Sequence, residues 1–163
     1  MGKLNGQVAI ITGGARGIGE GICKVFCNEG AMVALWDIMD EGQNTADRIK
    51  DEGGEIIFQN VNVSDQSSVD KAVEKLISEY GKIDILINNA GIIRDRSFLK
   101  MSRDEWDRVI DVNINSLYIT TKAVLPHMKE AKYGRIISAS SINAFQGAFG
   151  QTNYAASKAA IAG

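Results

Sequence analysis

Residues 8–19 read VAIITGGARGIG, in which a short apolar run passes directly into a glycine-rich turn. The run is rich in β-branched residues and lacks polar alternation, which is typical of a parallel strand buried on both faces. The glycines permit a tight bend and a close approach of other groups to the backbone. Ile22, Val25 and Phe26 then follow at helical spacing. This stretch therefore predicts a strand, a turn and a helix in that order.

Similar apolar runs recur along the chain at 32–36, 56–58, 83–87 and 136–137. Helical patterns separate them, most clearly in 69–80, where apolar residues follow the i, i+3, i+4 spacing of one stripe. Strands joined by crossover helices run parallel, and right-handed crossovers place helices on both faces of the sheet. We therefore predict an α/β fold with a doubly wound parallel sheet, formed as a single domain over residues 1–163.

Two further helical patterns lie in the second half of the chain. The first runs from about Arg103 to Lys129, and we expect Pro126 to kink or end it. The second begins near Gln151 and carries no polar turn or proline before the last residue, Gly163. We therefore expect the chain to be truncated before its last strands.

Composition narrows the possible classes of function. The chain has 163 residues, 45% hydrophobic and 23% charged, with a net charge of −2, which indicates a globular chain rather than a disordered one. No basic cluster suits nucleic acid or a membrane surface, and no apolar run approaches the length of a membrane span. Cys23 and Cys27 have neither disulfide-framework nor zinc spacing. We predict a small-molecule partner, no metal and a cytoplasmic location.

The glycine-rich turn has the features of a dinucleotide site. Gly13 permits the bend, Gly17 lets the backbone approach a pyrophosphate, and Gly19 allows close helix packing. Asp37 ends the second strand, where a carboxylate can accept hydrogen bonds from the adenosine ribose and repel a 2′-phosphate. Arg16 favours NADP(H), but more weakly, because a guanidinium can bind that 2′-phosphate. We therefore favour NAD(H), with NADP(H) as the alternative.

Tyr154 and Lys158 are four residues apart, so they share one face of a helix about one turn apart. A nearby ammonium stabilises a phenolate electrostatically, which suits the pair to general acid–base catalysis. In isolation the two would be interpreted as an ordinary surface pair. Their occurrence together with Ser141 and the nucleotide turn favours the catalytic interpretation.

Five motifs together resemble the short-chain dehydrogenase/reductase family. They are TGGARGIG at 12–19, NNAG at 88–91, Asn113, Ser141 and YAASK at 154–158. The resemblance spans the whole chain, which is shorter than is usual in the family. It implies a Rossmann-type NAD(P)-binding domain from which the C-terminal substrate-lid region is absent.

The resemblance also assigns roles. A hydride passes between the nicotinamide and a substrate carbonyl carbon, Tyr154 protonates the oxygen and Ser141 donates a hydrogen bond to it, so both contact the substrate. Lys158 binds the nicotinamide ribose, and Asn113 holds a water beside that lysine. The predicted cofactor-binding residues are Gly13, Arg16, Gly17, Ile18, Gly19, Asp37, Asn62, Val63, Asn89, Ala90, Gly91, Tyr154 and Lys158.

Within the family, residues 88–106 and 150–154 are most similar to 3-oxoacyl-(acyl carrier protein) and acetoacetyl-CoA reductases. We therefore predict reduction of a 3-oxoacyl thioester by a homo-oligomer, a tetramer by resemblance. Asp37 departs from the usual NADPH preference of those enzymes. An NAD-dependent secondary-alcohol, polyol or diketone dehydrogenase is the first alternative. A dinucleotide-binding protein without turnover, or an inactive fragment, is the second.

Overall fold

The computed structural model describes residues 2–163, so Met1 of the predicted domain lies outside the described residues. A sheet of five strands has the order β3-β2-β1-β4-β5, and every neighbouring pair is parallel. The strands are β1 (Val8–Thr12), β2 (Met32–Asp37), β3 (Ile56–Asn60), β4 (Ile85–Asn88) and β5 (Arg135–Ser138). The parallel sheet predicted from the apolar runs is thereby confirmed.

Helices cover both faces of this sheet. They are α1 (Gly17–Asn28), α2 (Glu41–Asp51), α3 (Gln66–Tyr80), α4 (Arg103–Ile110), α5 (Ser116–Glu130), α6 (Asn143–Gln146) and α7 (Thr152–Ala162). Ile10 packs in an apolar cluster with α3 and α5, whereas its neighbour Ile11 packs in a second cluster with α1 and α2. Alternate residues of one strand therefore face opposite helix layers, which confirms the doubly wound architecture. Within residues 2–163 no helix combines the length and apolar character needed to cross a bilayer.

The strand order reverses beside β1. The chain proceeds outward from β1 to β2 and β3, and then returns so that β4 lies on the other side of β1. In open parallel sheets a crevice forms at such a reversal, outside the carboxyl ends of the strands. The glycine-rich turn after β1 and the NNAG segment at the end of β4 both lie at this position.

The prediction that all five strands are buried on both faces is wrong for β5. Ile136 and Ile137 are 38% and 56% exposed. β5 pairs with β4 alone at the edge of the sheet, and α5 packs against α3 and β4. The apolar character of a short run indicates a strand, but burial depends on whether another element covers it.

The helix predicted from about Arg103 to Lys129 is interrupted. α4 ends at Ile110, a π-helical turn covers Asp111–Asn115, and α5 continues to Glu130 beyond Pro126. A π-turn adds a residue to one turn and so rotates the faces that follow. The face that is buried after this rotation is polar. The buried residues of the π-turn and of the first half of α5 are Asn113, Ser116 and Thr120.

Candidate active site

The glycine-rich turn packs tightly against the segment after β4. Gly13 and Gly17 have positive φ angles of +67° and +59°, a conformation that favours glycine. A Cβ at Gly13 would lie 2.8 Å from Ala90 Cα, and one at Gly19 would lie 2.9 Å from Asn89 Nδ2 and still closer to the Gly13 carbonyl oxygen. The turn therefore has no space for side chains at Gly13 and Gly19, and α1 begins directly at Gly17.

Thr12, which the sequence analysis did not single out, joins the two sides of the crevice. Its hydroxyl oxygen accepts hydrogen bonds from the backbone N–H groups of Asn89 and Ala90, both at 3.0 Å, and donates to the Ile87 carbonyl at 3.2 Å. Asn89 Nδ2 donates in return to the carbonyls of Thr12 and Gly13. The signal in the sequence was its place as the first residue of the TGGARGIG motif, at the strand-to-turn junction.

A cleft of about 560 Å³ opens at this crevice, a volume within the usual range for small-molecule and cofactor sites. All of the predicted cofactor-binding residues except Tyr154 and Lys158 line it. Residues that were not predicted also line it, namely Trp36, Ile38, Met39, Val61, Ile92, Arg94 and Val112. The loops after β1, β2, β3 and β4 therefore converge on one cavity.

Asp37 lies at the end of β2 with one oxygen toward each of two backbone donors. Its Oδ2 accepts from the Ala15 N–H and its Oδ1 from the Met39 N–H, both at 3.1 Å. An ionised carboxylate has about four acceptor sites, so acceptor capacity remains for ribose hydroxyls. Arg16 is exposed at the start of α1 and forms no ion pair among residues 2–163. Both predicted coenzyme determinants therefore line the same cleft.

Two more predicted residues line the part of the cleft that follows β3. Asn62 is exposed, and its side-chain oxygen accepts from the Ser64 N–H at 3.1 Å. Val63 is 7% exposed and adds an apolar surface. This pairing of an apolar face with a short polar turn suits the planar base of a nucleotide.

Asn113 is completely buried in the π-helical turn. Its Oδ1 accepts from the Ile92 N–H at 2.8 Å, and its Nδ2 donates to the Ile92 carbonyl at 3.1 Å and to Ser157 Oγ at 3.0 Å. A Cβ at Gly91 would lie 3.4 Å from Asn113 Oδ1 and 3.7 Å from Lys158 Nζ. The asparagine amide and the lysine ammonium therefore flank the same glycine.

Lys158 is 5% exposed and donates from Nζ to the Ala139 carbonyl at 2.6 Å. Nζ lies 5.7 Å from the centre of the Tyr154 ring, and the tyrosine is half-buried. Removal from solvent disfavours the ammonium and lowers the pKa of Lys158. The predicted acid–base pair is therefore adjacent, with its cation held in a fixed place.

Ser141 follows β5, and its Oγ accepts from the Asn143 N–H at 3.2 Å. The Asn143 side chain donates to Gln151 Oε1 at 2.8 Å, and Gln151 Nε2 donates to Asp95 Oδ2 at 3.0 Å. This hydrogen-bonded series connects the serine loop to the start of α7 and to the loop after β4. Within residues 2–163 the Ser141 hydroxyl donates to no acceptor, so its proton is not engaged by the protein.

The sequence is similar to those of known proteins over nearly its whole length. A family model described as short chain dehydrogenase matches residues 7–163. The chain is 47% identical over 159 residues to the 3-oxoacyl-[acyl-carrier-protein] reductase FabG of Chlamydia pneumoniae, covering 97% of this chain and 64% of that protein. For the FabG of Thermotoga maritima the identity is 42% over 164 residues, with coverage of 99% and 66%.

A relative with a less specific name is similar to the same extent. The oxidoreductase UcpA of Escherichia coli is 45% identical over 164 residues, covering 100% of this chain and 62% of that protein. The chain therefore spans a little under two thirds of the length of these curated relatives.

Proposed function

The chain belongs to the short-chain dehydrogenase family, and from that premise we propose an oxidoreductase that transfers a hydride between a nicotinamide dinucleotide and the keto group of a 3-oxoacyl thioester. The observation that carries this proposal is the position of the buried Lys158 ammonium, which donates to the Ala139 carbonyl and lies over the Tyr154 ring, 5.7 Å from its centre, near a cleft of cofactor size. The names of the FabG relatives support a 3-oxoacyl group carried by an acyl carrier protein, and we propose coenzyme A as the alternative carrier.

Tyr154 is the general acid of this proposal. Its hydroxyl gives a proton to the oxygen that develops negative charge, and the adjacent Lys158 ammonium stabilises the resulting phenolate. Ser141 donates a hydrogen bond to the same oxygen. Asn113 stays close to Lys158 and supports proton exchange with solvent through a bound water. When bound, the nicotinamide ring supplies or accepts the hydride.

The residues of the cleft fit a dinucleotide. Gly13 and Gly17 have positive φ angles, and α1 begins at Gly17, so the unpaired backbone N–H groups of a helix N-terminus lie in the turn that lines the cleft, as a pyrophosphate site requires. Asp37 accepts from the ribose hydroxyls, and its charge favours NAD(H) over NADP(H). NADP(H) is the less favoured coenzyme, which the Arg16 guanidinium at the cleft can still bind through the 2′-phosphate.

Residues 1–163 form one NAD(P)-binding domain in this proposal, and the protein assembles as a homo-oligomer, a tetramer by analogy with the family. It works in the cytoplasm: Cys23 and Cys27 are free and buried, as expected of thiols in a reducing compartment. Light scattering that gives a stable monomer contradicts the oligomer.

The test is the initial rate of NADH and of NADPH oxidation with acetoacetyl-CoA, for the wild type and for Tyr154→Phe. We expect turnover that is faster with NADH, and loss of about three orders of magnitude in the variant because the general acid is removed. Binding of NADH, followed by its fluorescence, should remain within about twofold, since the variant lacks only one hydroxyl. Equal rates in the two proteins contradict the proposed role of Tyr154.

A second candidate is an NAD-dependent dehydrogenase of secondary alcohols, polyols or diketones. Asp37 favours it, because NAD⁺ is the usual oxidant in alcohol oxidation whereas biosynthetic reduction generally uses NADPH. A panel of secondary alcohols with NAD⁺, in the same pair of proteins, separates the two substrate classes. Tight NADH binding without turnover of either class supports instead the dinucleotide-binding protein without catalytic activity.

A further inference from the structure

Helix α7 is docked by polar side chains. Its buried residues are Asn153, Ser157 and Lys158, whereas most of its alanines are exposed. Apolar packing is not directional, so it leaves the rotation of a helix about its own axis loosely determined. Hydrogen bonds depend on distance and angle and therefore determine that rotation. The rotation of α7 about its axis thus depends on the hydrogen bonds of its buried side chains.

Asn153 makes these bonds at the first turn of α7. The residue is completely buried, and its Nδ2 donates to the carbonyls of Arg94 at 3.1 Å and Glu105 at 3.2 Å. Its Oδ1 accepts from the N–H of Tyr154 at 2.8 Å. One amide therefore connects the first turn of α7 to the loop after β4 and to α4.

Ser157 makes the corresponding bonds one turn later. It is also completely buried; its Oγ accepts from Asn113 Nδ2 at 3.0 Å and donates to the Tyr154 carbonyl at 2.7 Å. The N–H and the carbonyl of Tyr154 are thus both bound by side chains that are anchored outside α7. Asn153 and Ser157 do not line the nucleotide cleft.

We propose that Asn153 and Ser157 form a polar latch that sets the rotation of α7 and thereby positions Tyr154 and Lys158. The two pairs have the same four-residue spacing and are offset by one residue, or about 100° around the helix. A rotation of α7 that breaks the latch therefore moves the phenol and the ammonium together. The proposal rests on the proposed function, and both latch residues are positioning residues rather than groups that contact substrate.

Ser157→Ala tests the latch, with Ser78→Ala as a matched control. Ser78 on α3 donates to the Lys75 carbonyl at 2.8 Å, the same three-residue spacing as Ser157 to Tyr154, but it is exposed and makes no bond outside its helix. For Ser157→Ala we expect kcat to fall about tenfold and the NADH dissociation constant to stay within about twofold, because all the predicted cofactor-binding residues other than Tyr154 and Lys158 lie outside α7. Ser78→Ala should retain the wild-type values.

Hydrogen–deuterium exchange of residues 152–162 supplies a readout that needs no turnover. Ser157→Ala should raise deuterium uptake in α7 while leaving β1 and α1 unchanged, and Ser78→Ala should leave α7 unchanged. If the wild type does not turn over the thioester, the proposed function is wrong. The uptake of α7 in these two variants still decides whether the latch holds the helix.

Asn153→Asp is the second variant. The substitution keeps an oxygen for the Tyr154 N–H but places a carboxylate oxygen against the carbonyls of Arg94 and Glu105. We expect a larger fall in kcat and higher α7 uptake than in Ser157→Ala. Wild-type kcat and α7 uptake in both variants overturn the latch. Parallel loss of NADH binding and of protection throughout the chain also overturns it, because the two residues are then general determinants of stability.

Discussion

The glycine-rich turn, which lines the cleft, and helix α7, which holds Lys158 beside Gly91 of the cleft, are stabilised in different ways. Around the turn, β1 and β2 are buried almost throughout, and close backbone packing limits the space at Gly13 and Gly19. In α7, the buried side chains are polar. The turn therefore depends on shape and apolar burial, and the position of α7 depends on directional hydrogen bonds.

This difference matters for the proposed reaction. A dinucleotide is bound by many backbone donors and van der Waals contacts, which a rigid apolar scaffold can present. Proton transfer instead requires one phenol and one ammonium in a narrow range of positions. In the proposed reaction, the polar packing of α7 meets that requirement, at the expense of burying groups that need partners, above all Lys158.

Lys158→Met should have the largest effect and should separate activity from stability. We expect thioester reduction to fall about a thousandfold, since the phenolate loses its adjacent cation. We expect the free energy of unfolding at pH 7 to rise by about 1 kcal/mol, because an apolar side chain of similar length replaces a desolvated ammonium. Denaturant unfolding and initial rates on the same samples measure the two effects.

The stability difference should depend on pH. Burial lowers the folded-state pKa of Lys158. The free-energy cost of burying the ammonium is therefore fully present below the folded-state pKa, and it disappears as pH rises toward the pKa of the unfolded chain. The gap between Lys158→Met and the wild type should therefore narrow at alkaline pH. A gap that widens with pH contradicts the assignment of a desolvated ammonium.

Gly13→Ala should have the next largest effect and should disrupt the glycine-rich turn. Alanine at φ +67° is strained, and its Cβ would lie 2.8 Å from Ala90 Cα, so the turn must move. We expect the free energy of unfolding to fall by about 2 kcal/mol and the affinity for NADH to fall at least tenfold. Gly21→Ala, in a helix with open space around the added Cβ, is the control and should be neutral or stabilising.

Asp37→Ser should have a moderate effect confined to coenzyme choice. Loss of the carboxylate removes repulsion of a 2′-phosphate and one set of ribose acceptors. We expect the ratio of kcat/KM for NADPH to that for NADH to rise about tenfold. Asp40→Ser, an exposed carboxylate outside the cleft lining, should leave this ratio unchanged. An unchanged ratio in Asp37→Ser assigns coenzyme choice to other residues.

The two cysteines should show the smallest effect, which is no reaction. Burial is the main cause that raises the pKa of Cys23 to about 12 and that of Cys27 to about 11. Because the thiolate is the nucleophile, we expect neither thiol to react with a disulfide reagent at pH 8 in the native protein, and both to react in denaturant. Rapid labelling of the native protein indicates that the α1 side of the sheet opens readily.

Much of the fold was predictable because it repeats a periodic pattern. Residues Val69, Ala72, Val73 and Leu76 of α3 are buried at the positions that the spacing predicts. The long helix was not predicted correctly, because the π-turn at Asp111–Asn115 depends on partners of Asn113 that lie far away in the chain. The exposure of β5 was not predicted, because the hydropathy of a strand does not show whether another element packs over it.

The sequence by itself determined the parallel sheet, the glycine-rich turn and the spacing of Tyr154 and Lys158, because these features are set within a few residues of chain. Only the tertiary structure decided which groups meet: Thr12 with the NNAG segment, Lys158 with the Ala139 carbonyl, and Asn113 with Ser157. Those hydrogen bonds join residues brought together by separate strands and helices. They require distances and angles that appear only when the sheet order has placed the strand ends side by side.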